Sequence, residues 1–377
     1  MQFNARIVAY GAVAVVGAAA LIGIESLHHA MQVQAEASAR QAKDAEDARI
    51  AAAWERRVQR ARELAANIVV ADLHCTINSQ LTWPIYASRD INTDQLLGVS
   101  EQPLIVFLLP GFDTQHPDGR DDYAYLQTQF ADEIAVAGEQ ADGSAVCVIP
   151  WATQQGFGDD TPFLAQAVAA VRELSEDPLI PANPPRRIVV LGYSAGGNFA
   201  KYALTHLPPD PGGTTTDLRL ITLGTPHHGS IAANAYAGYL DVTTGLTGIV
   251  GEITNDADMQ QRAADTRTAQ DALTSARGFR QLEPNNADVE AVNSLMARPS
   301  QPFHHLNVYS SGDDAVPKDS AVWPDAVQVD LVSYKHLDLP KAPVGSPWRR
   351  VLAVAFGTAP LSQQAVDAAA APPPASP

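Results

Sequence analysis

The segment around Ser194 constrains the fold of this chain more than any other part of the sequence. It reads Gly192-Tyr193-Ser194-Ala195-Gly196, follows an unbroken apolar run at 188–191 and precedes a helical pattern at 198–204. A serine on such a tight strand-to-helix turn needs small neighbours, because a side chain at either flanking glycine would collide with nearby backbone. The helix N-terminus would favour negative charge developing beside the hydroxyl. This context predicts an exposed, nucleophilic serine above an α/β sheet.

The rest of the body alternates between strand-like runs and amphipathic helices. The runs at 104–109 and 187–191 are continuously apolar, which is typical of strands buried on both faces of a parallel sheet. The alternation predicts an open, mostly parallel sheet flanked by helices. The predicted strands are 68–73, 104–109, 145–149, 187–191, 218–223, 303–309 and 327–332, and the predicted helices are 123–137, 162–174, 197–206 and 348–356.

Two segments of the body break this rhythm. Residues 231–300 contain no strand pattern and are helical and polar in parts, so we interpret them as a helical cap or lid inserted over the carboxyl edge of the sheet. Apolar side chains between 231 and 250 could line an acyl groove, the alternative being a packed cap without acyl specificity. The tail at 358–377 is predicted to be disordered from its alanine- and proline-rich composition.

A serine nucleophile needs a base, and the base needs an orienting carboxylate. On a strand–turn–helix scaffold of this kind the chain order is serine, acid, histidine. Asp313 and Asp314 directly follow the predicted strand at 303–309, and His336 is the one histidine beyond them. We interpret His336 as the base and Asp313 as its partner, with Asp314 as the alternative acid. The other histidines after Ser194 precede these acids: His206, His227, His228, His304 and His305.

An oxyanion hole needs two backbone N–H groups aimed at one point. Ala195, the residue after the serine, would supply one of them. The turn Leu109-Pro110-Gly111-Phe112 follows an early strand and could present the N–H of Phe112 as the second, although Pro-Gly alone indicates only a turn.

With these residues in place, the chain resembles α/β-hydrolases of the lipase/esterase kind. Four ordered motifs carry the resemblance: Leu-Pro-Gly-Phe (109–112), Gly-Tyr-Ser-Ala-Gly (192–196), Thr-Leu-Gly-Thr-Pro-His-His-Gly-Ser (222–230) and Gly-Asp-Asp-Ala-Val-Pro (312–317) leading to His336. A Gly-Thr-Pro-His-x-Gly segment recurs in bacterial lipases and related acyl hydrolases. The resemblance implies an α/β-hydrolase fold and assigns catalytic roles to Ser194, Asp313 and His336 and oxyanion-hole roles to Phe112 and Ala195.

One residue departs from the family pattern. Pro110 stands where many lipases carry histidine before the glycine. Backbone donation does not need that histidine, so the departure bears on the subfamily and not on the mechanism. We expect His227 and His228 to shape the floor of the site and not to bind a metal.

The N-terminal segment carries a candidate membrane anchor at 1–25. Its uncharged run at 7–24 would span about 27 Å as a helix, which is enough for a bilayer core. We favour an uncleaved anchor with the body on the extracytoplasmic side, since Arg6 lies on the short side. Ala35-Glu36-Ala37 leaves a cleaved signal, and hence a secreted protein, open. Residues 26–66 contain no Gly or Pro and predict a helical stalk, whose face could pair in a coiled coil or pack on the body at 67–357.

Charge and cysteine content exclude several function classes. Residues 67–377 carry 17 basic and 35 acidic residues, a balance that excludes nucleic-acid binding. No paired Cys or His spacing predicts a metal site, and the mechanism requires no cofactor. Cys75 and Cys147 could form one bridge in an oxidising compartment, but buried free thiols are the interpretation we favour.

The sequence therefore predicts a serine hydrolase that cleaves carboxylic esters of acyl lipids, a lipase or esterase, through an acyl-enzyme intermediate. A thioesterase or acyltransferase with the same triad is the alternative. A membrane-anchored scaffold without catalysis is a third reading, which requires every matched position to be without function. The oligomeric state stays open.

Overall fold

The computed structural model describes residues 2–67, 74–79, 91–111, 143–149, 156–175, 186–208, 216–230, 277–297, 302–341 and 346–371, with isolated positions between 130 and 137 and between 257 and 264. The chain divides into two compact units, residues 1–57 and 58–377. The division of the chain into a stalk at 26–66 and a body at 67–357 stays a prediction.

A seven-stranded sheet forms the centre of the second unit. Its strands are β1 (His74–Ser79), β2 (Leu104–Leu109), β3 (Gly143–Val148), β4 (Arg187–Tyr193), β5 (Asp217–Leu223), β6 (His304–Tyr309) and β7 (Val327–Asp330). They are arranged in the order β1-β3-β2-β4-β5-β6-β7. Among the strands that the structure describes, β1 alone runs antiparallel to its neighbour, and the other pairings are parallel. The predicted mostly parallel sheet with flanking helices is confirmed.

The helices are α1 (Gln2–Asn67), α2 (Ile91–Ser100), α3 (Phe157–Ser175), α4 (Ala195–Thr205), α5 (Arg277–Arg280), α6 (Ala287–Met296), α7 (Lys318–Ala321), α8 (Pro347–Phe356) and α9 (Gln363–Ala370), together with a single 3-10 turn at His336–Asp338. Most of the predicted helix at 123–137, the predicted strand at 68–73 and most of the cap between 231 and 276 lie outside the described residues.

Helices cover both faces of the sheet, which explains why β2 is continuously apolar. Successive side chains of a strand point to opposite faces, so one set packs under α2, α3, α4 and α6 and the other under α8 and α9. The first set is Ile105, Phe107 and Leu109, and the second is Leu104, Val106 and Leu108. The end of the predicted cap is part of this core, since Val289, Val292 and Met296 of α6 are buried in it.

The last turns of α1 also belong to the second unit. Val58, Ala61 and Ala65 are buried in the same core as α3, and Arg60 forms an ion pair with Glu173. Over these turns the face of the helix packs on the body, which is one of the two alternatives that the sequence left open.

In the described part of the chain, no helix is both long and apolar enough to cross a bilayer. The side chains of the predicted anchor at 7–24 lie outside that part, and the anchor stays a prediction.

The two cysteines form a disulfide, so the preference for free thiols is wrong. Cys75 of β1 and Cys147 of β3 lie directly opposite each other in the antiparallel register and are bonded. The bridge could not be derived from the sequence because the strand containing Cys75, His74–Ser79, lacks the apolar pattern that marks the other strands.

The predicted disordered tail is also wrong over 363–370, which form α9. Ser362 caps the helix by accepting a hydrogen bond from the N–H of Ala365, and Val366 is fully buried. The side-chain amide of Gln363 bonds both the N–H and the carbonyl of Gln328, on edge strand β7. Composition alone misses these tertiary contacts.

Arg219 of β5 ties the C-terminal end of α8 to the sheet. Its guanidinium is fully buried, pairs with Asp217, and donates to the carbonyl oxygens of Val354, Ala355, Gly357 and Ala359. A helix leaves its last carbonyls without partners inside the helix, and this one side chain satisfies several of them.

Replacing Arg219 by methionine should therefore destabilise the fold strongly, by about 3 kcal/mol, because buried carbonyls and Asp217 lose their partner. Urea denaturation followed by circular dichroism measures this loss. Arg350→Met is the matched control, since Arg350 donates to the carbonyls of Ala369 and Ala371 from a half-exposed position. We expect it to cost less than about 1 kcal/mol. Equal losses in the two variants would contradict this role of Arg219.

Candidate active site

Ser194 lies at the turn between β4 and α4, in a backbone conformation that few residues adopt. Its φ is 53°, in the left-handed region, and its N–H donates to the carbonyl of Leu223 at 2.8 Å. A Cβ at Gly192 would lie 2.5 Å from the carbonyl oxygen of Gly196. A Cβ at Gly196 would lie 2.3 Å from the carbonyl oxygen of Pro110. The flanking glycines are therefore needed for the reason that the sequence analysis predicted.

The structure brings the three predicted catalytic side chains together. The Nε2 atom of His336 lies 2.8 Å from the Oγ atom of Ser194, and its Nδ1 atom lies 2.8 Å from the Oδ2 atom of Asp313. The Asp313 side chain is almost completely buried, and that of His336 is 12% exposed. With Nδ1–H donated to the carboxylate, Nε2 is left unprotonated and can accept the serine proton.

The two neighbouring aspartates occupy different places. The Oδ1 atom of Asp313 accepts hydrogen bonds from the N–H groups of Ala315 and Val316, which orients its other oxygen toward the imidazole. The carboxylate of Asp314 is exposed and accepts a hydrogen bond from the main chain of His336, not from its ring. The geometry thus places Asp313, rather than Asp314, at the imidazole.

Of the two predicted oxyanion donors, one is described. Ala195 is the first residue of α4, at the helix N-terminus beside Ser194. Phe112 lies outside the described residues. The segment before it passes close to the serine, since a Cβ at Gly111 would lie 3.0 Å from the Cβ of Ser194. The end of β2 therefore runs beside the nucleophile, as an oxyanion-hole loop requires.

The loop at 224–230, which contains the Gly-Thr-Pro-His-His-Gly-Ser motif, contacts each segment that carries a triad residue. Gly224, with φ of +57°, lies under the imidazole, where an added Cβ would be 3.4 Å from Cε1 of His336. Pro226 accepts a hydrogen bond from the side chain of Asn198 in α4 at 2.9 Å. Ser230 donates to the carbonyl of Ala315, two residues after the triad acid. This motif therefore connects α4, the loop that carries Asp313, and His336.

Sequence reasoning missed a buried polar network that anchors this loop. Lys201 of α4 is fully buried, and its Nζ atom contacts Nδ1 of His227 at 3.0 Å and Oδ1 of Asn293 at 2.7 Å. The indole of Trp323 lies 5.0 Å from the same ammonium group. Nε2 of His227 in turn contacts Oδ1 of Asn307 at 3.0 Å. Since Oδ1 of Asn307 can only accept, Nε2–H of His227 donates to it and Nδ1 is left to accept from Lys201.

The network continues across the sheet. Thr222 donates to Oδ1 of Asn307 and contacts Nε2 of His305, both at 2.9 Å. The ring of His227, which was predicted to shape the floor of the site, joins the loop to α4 and β6. Neither His227 nor His228 belongs to a cluster that could hold a metal ion, and the part of the chain that the structure describes contains no such cluster. The signal in the sequence was a lysine within a mostly apolar helix, seven residues after Ser194.

Burial shifts the ionisation of this network. Desolvation lowers the pKa of Lys201 to about 7, with Glu290 opposing the shift. Desolvation lowers the pKa of His305 to about 3, and the pKa of His227 falls well below its ordinary value for the same reason and through the charge of Lys201. Both histidines are therefore neutral at pH 7.

Comparisons with known proteins do not identify a family for this chain. No family model matches the chain, and no curated protein matches its sequence. Solved structures similar to it include a siderophore hydrolase from Aspergillus fumigatus, at 12% identity and a TM-score of 0.42, covering 75% of this chain and 92% of that one. A hydrolase from Oleispira antarctica is 12% identical with a TM-score of 0.37, covering 72% of this chain and 91% of that one. A phospholipase from Legionella pneumophila is 12% identical with a TM-score of 0.32, covering 55% of this chain and 39% of that one. These values are too low to indicate an activity for this chain.

The depressed pKa of Lys201 predicts a pH-dependent stability. The unfolded chain binds a proton at this lysine up to its ordinary pKa of 10.5, whereas the folded chain releases it near pH 7. Stability should therefore rise with pH above 7, by about 2 kcal/mol between pH 7 and pH 9. Denaturation in urea at the two pH values measures the rise, which should be absent in Lys201→Met. Lys341→Met, at an exposed position, should keep it. Equal slopes in wild type and Lys201→Met would contradict the buried, shifted amine.

Proposed function

We propose that this chain, which has an α/β-hydrolase fold, is a serine hydrolase that cleaves carboxylic esters of acyl lipids. The observation that carries the proposal is the unbroken line of hydrogen bonds from Asp313 through His336 to Ser194. The fold places the serine on the turn after the central strand β4, with the acid after β6 and the histidine after β7. The three side chains thus meet at the carboxyl edge of the sheet, where ligands of open α/β sheets bind.

In the proposed reaction, each step of ester cleavage uses one of these groups. His336 takes the proton of Ser194, whose Oγ attacks the ester carbonyl. The N–H of Ala195, with that of Phe112, stabilises the negative charge that develops on the carbonyl oxygen. His336 then gives its proton to the departing alcohol, leaving an acyl group on Ser194. Water, activated by the same imidazole, releases the acid and restores the serine.

Two features of the sequence bear on the class of substrate. Acyl lipids are favoured by the Gly-Thr-Pro-His-x-Gly resemblance and by the apolar residues between 231 and 250. A thioesterase or acyltransferase uses the same triad and differs only in the leaving group or the acceptor, so it is the second candidate. A scaffold without catalysis is disfavoured, since it would leave a buried acid, an imidazole and a strained serine in contact without a use.

The proposal is tested with the full chain and a chain-length series of p-nitrophenyl esters. Ser194→Ala should lower kcat by a factor on the order of 10⁴ or more, and Asp313→Asn by about 10⁴, because the imidazole loses its tautomer and orientation. Ser294→Ala, which removes an exposed hydroxyl on α6, is the matched control and should keep full activity. Turnover of long chains supports a lipase, and turnover confined to short chains supports an esterase with no acyl groove. Ester turnover that survives Ser194→Ala would reject Ser194 as the nucleophile, and no turnover by the wild type would reject ester hydrolysis. Acyl thioesters and alcohol acceptors then test the second candidate.

We also place the catalytic body outside the cytoplasm, held by a single N-terminal helix. The uncharged run at 7–24 and the disulfide between Cys75 and Cys147 support this location, since disulfides persist in oxidising compartments.

The location predicts that the full chain stays with membranes after a carbonate wash and retains its encoded N-terminus by mass spectrometry. Its cysteines should react with maleimide only after reduction. A soluble product beginning after residue 37 would instead indicate a cleaved signal and a secreted protein. Reactive cysteines without reduction would contradict an oxidising location.

A further inference from the structure

His336 lies on a part of the chain that has little regular structure to hold it. Strand β7 ends at Asp330, and the histidine begins a single 3-10 turn at His336–Asp338. The next residue, Leu337, is 68% exposed. The bond from Nδ1 to Asp313 orients the ring but does not fix the main chain that carries it. Other contacts must therefore hold this turn while the imidazole transfers protons.

Asp314 makes one such contact. Its Oδ1 atom accepts a hydrogen bond from the main-chain N–H of His336 at 3.1 Å. The pKa of Asp314 lies below its ordinary value, chiefly because of this bond, so the carboxylate is ionised at neutral pH. Two consecutive aspartates thus bind the same histidine, Asp313 at the ring and Asp314 at the main chain.

Tyr193 makes the second contact, from the opposite side. Its hydroxyl donates to the main-chain carbonyl of His336 at 2.9 Å. Its ring lies against the imidazole, with the ring centres 5.3 Å apart and the planes 28° apart. Tyr193 is the last residue of β4 and is largely buried, so it is fixed by the sheet and directly precedes the nucleophile.

We propose that Asp314 and Tyr193 are positioning residues that hold the main chain of His336, one at its N–H and the other at its carbonyl, so that the imidazole stays in line with Ser194. The inference rests on the proposed function, since it assigns these residues a role in that reaction. The hydrogen bonds that carry this role go to the main chain of His336. Each acts through His336, and each joins it to a segment next to another triad member: Asp314 to the acid and Tyr193 to the serine.

The proposal is tested by kcat, KM and the concentration of active sites, the last measured by titration with a fluorophosphonate. Asp314→Ala removes the acceptor, and Tyr193→Phe removes the hydroxyl while keeping the ring. Both should lower kcat per titrated site by about tenfold with KM changed less than about twofold, because a displaced base slows chemistry more than binding. Asp314→Asn keeps an acceptor oxygen and should recover most of the rate.

Asp338→Asn is the matched control. It removes the same charge from an exposed position in the same turn, and we expect kcat to stay within about twofold of wild type. An equal loss in this control would assign the effect to charge and overturn the proposal. A merely structural role would lower the melting temperature or the fraction of titratable sites while leaving kcat per site unchanged, which also overturns it. Wild type that neither turns over an ester through Ser194 nor reacts with the probe would reject the proposed function itself, and this inference with it.

Discussion

The close approach of the β4–α4 turn to the backbone at the end of β2 is the constraint on which the rest of this structure depends. At Gly196 the two backbones leave no room for a side chain, and the left-handed conformation of Ser194 follows from making the turn in so few residues. The N–H of Ser194 is bound to the end of β5 on the other side. The serine is thus held between two strands, and every other functional segment is arranged around a hydroxyl whose position is set by steric exclusion.

Around Ser194, the loops of the site are held by polar contacts and not by apolar packing. The acid and the base lie on loops after β6 and β7, and loops have no regular ladder of hydrogen bonds to hold them. Hydrogen bonds from Ser230 to the acid loop and from Asn198 to Pro226 supply the missing order. The buried polar network from Lys201 to His305 also holds the loop at 224–230. This network buries an amine, which therefore releases its proton near pH 7.

The parallel core and the meeting of Ser194, Asp313 and His336 could be predicted from the sequence because both depend on local features, namely apolar runs and motifs at the ends of strands. Residues 104–109 had to be a strand buried on both faces, and chain order limited the acid to Asp313 or Asp314, which follow a strand and precede His336. Strand β1 could not be predicted, since its polar residues match no burial pattern. Without that strand, the disulfide that it forms with β3 could not be predicted either. Two further features depend on contacts between segments that are distant in the sequence, which local periodicity does not report. They are the network around Lys201 and the different partners of Asp313 and Asp314.

The side chain of Gln363 has a consequence for how the molecule behaves toward other copies of itself. An outermost strand exposes unpaired peptide groups, which can template the addition of a further strand from another chain. In β7 the amide of Gln363 imitates a peptide group and occupies both the donor and the acceptor of Gln328. The helix that composition alone would assign to a disordered tail therefore occupies peptide groups of this outermost described strand and leaves fewer of them for pairing with another chain.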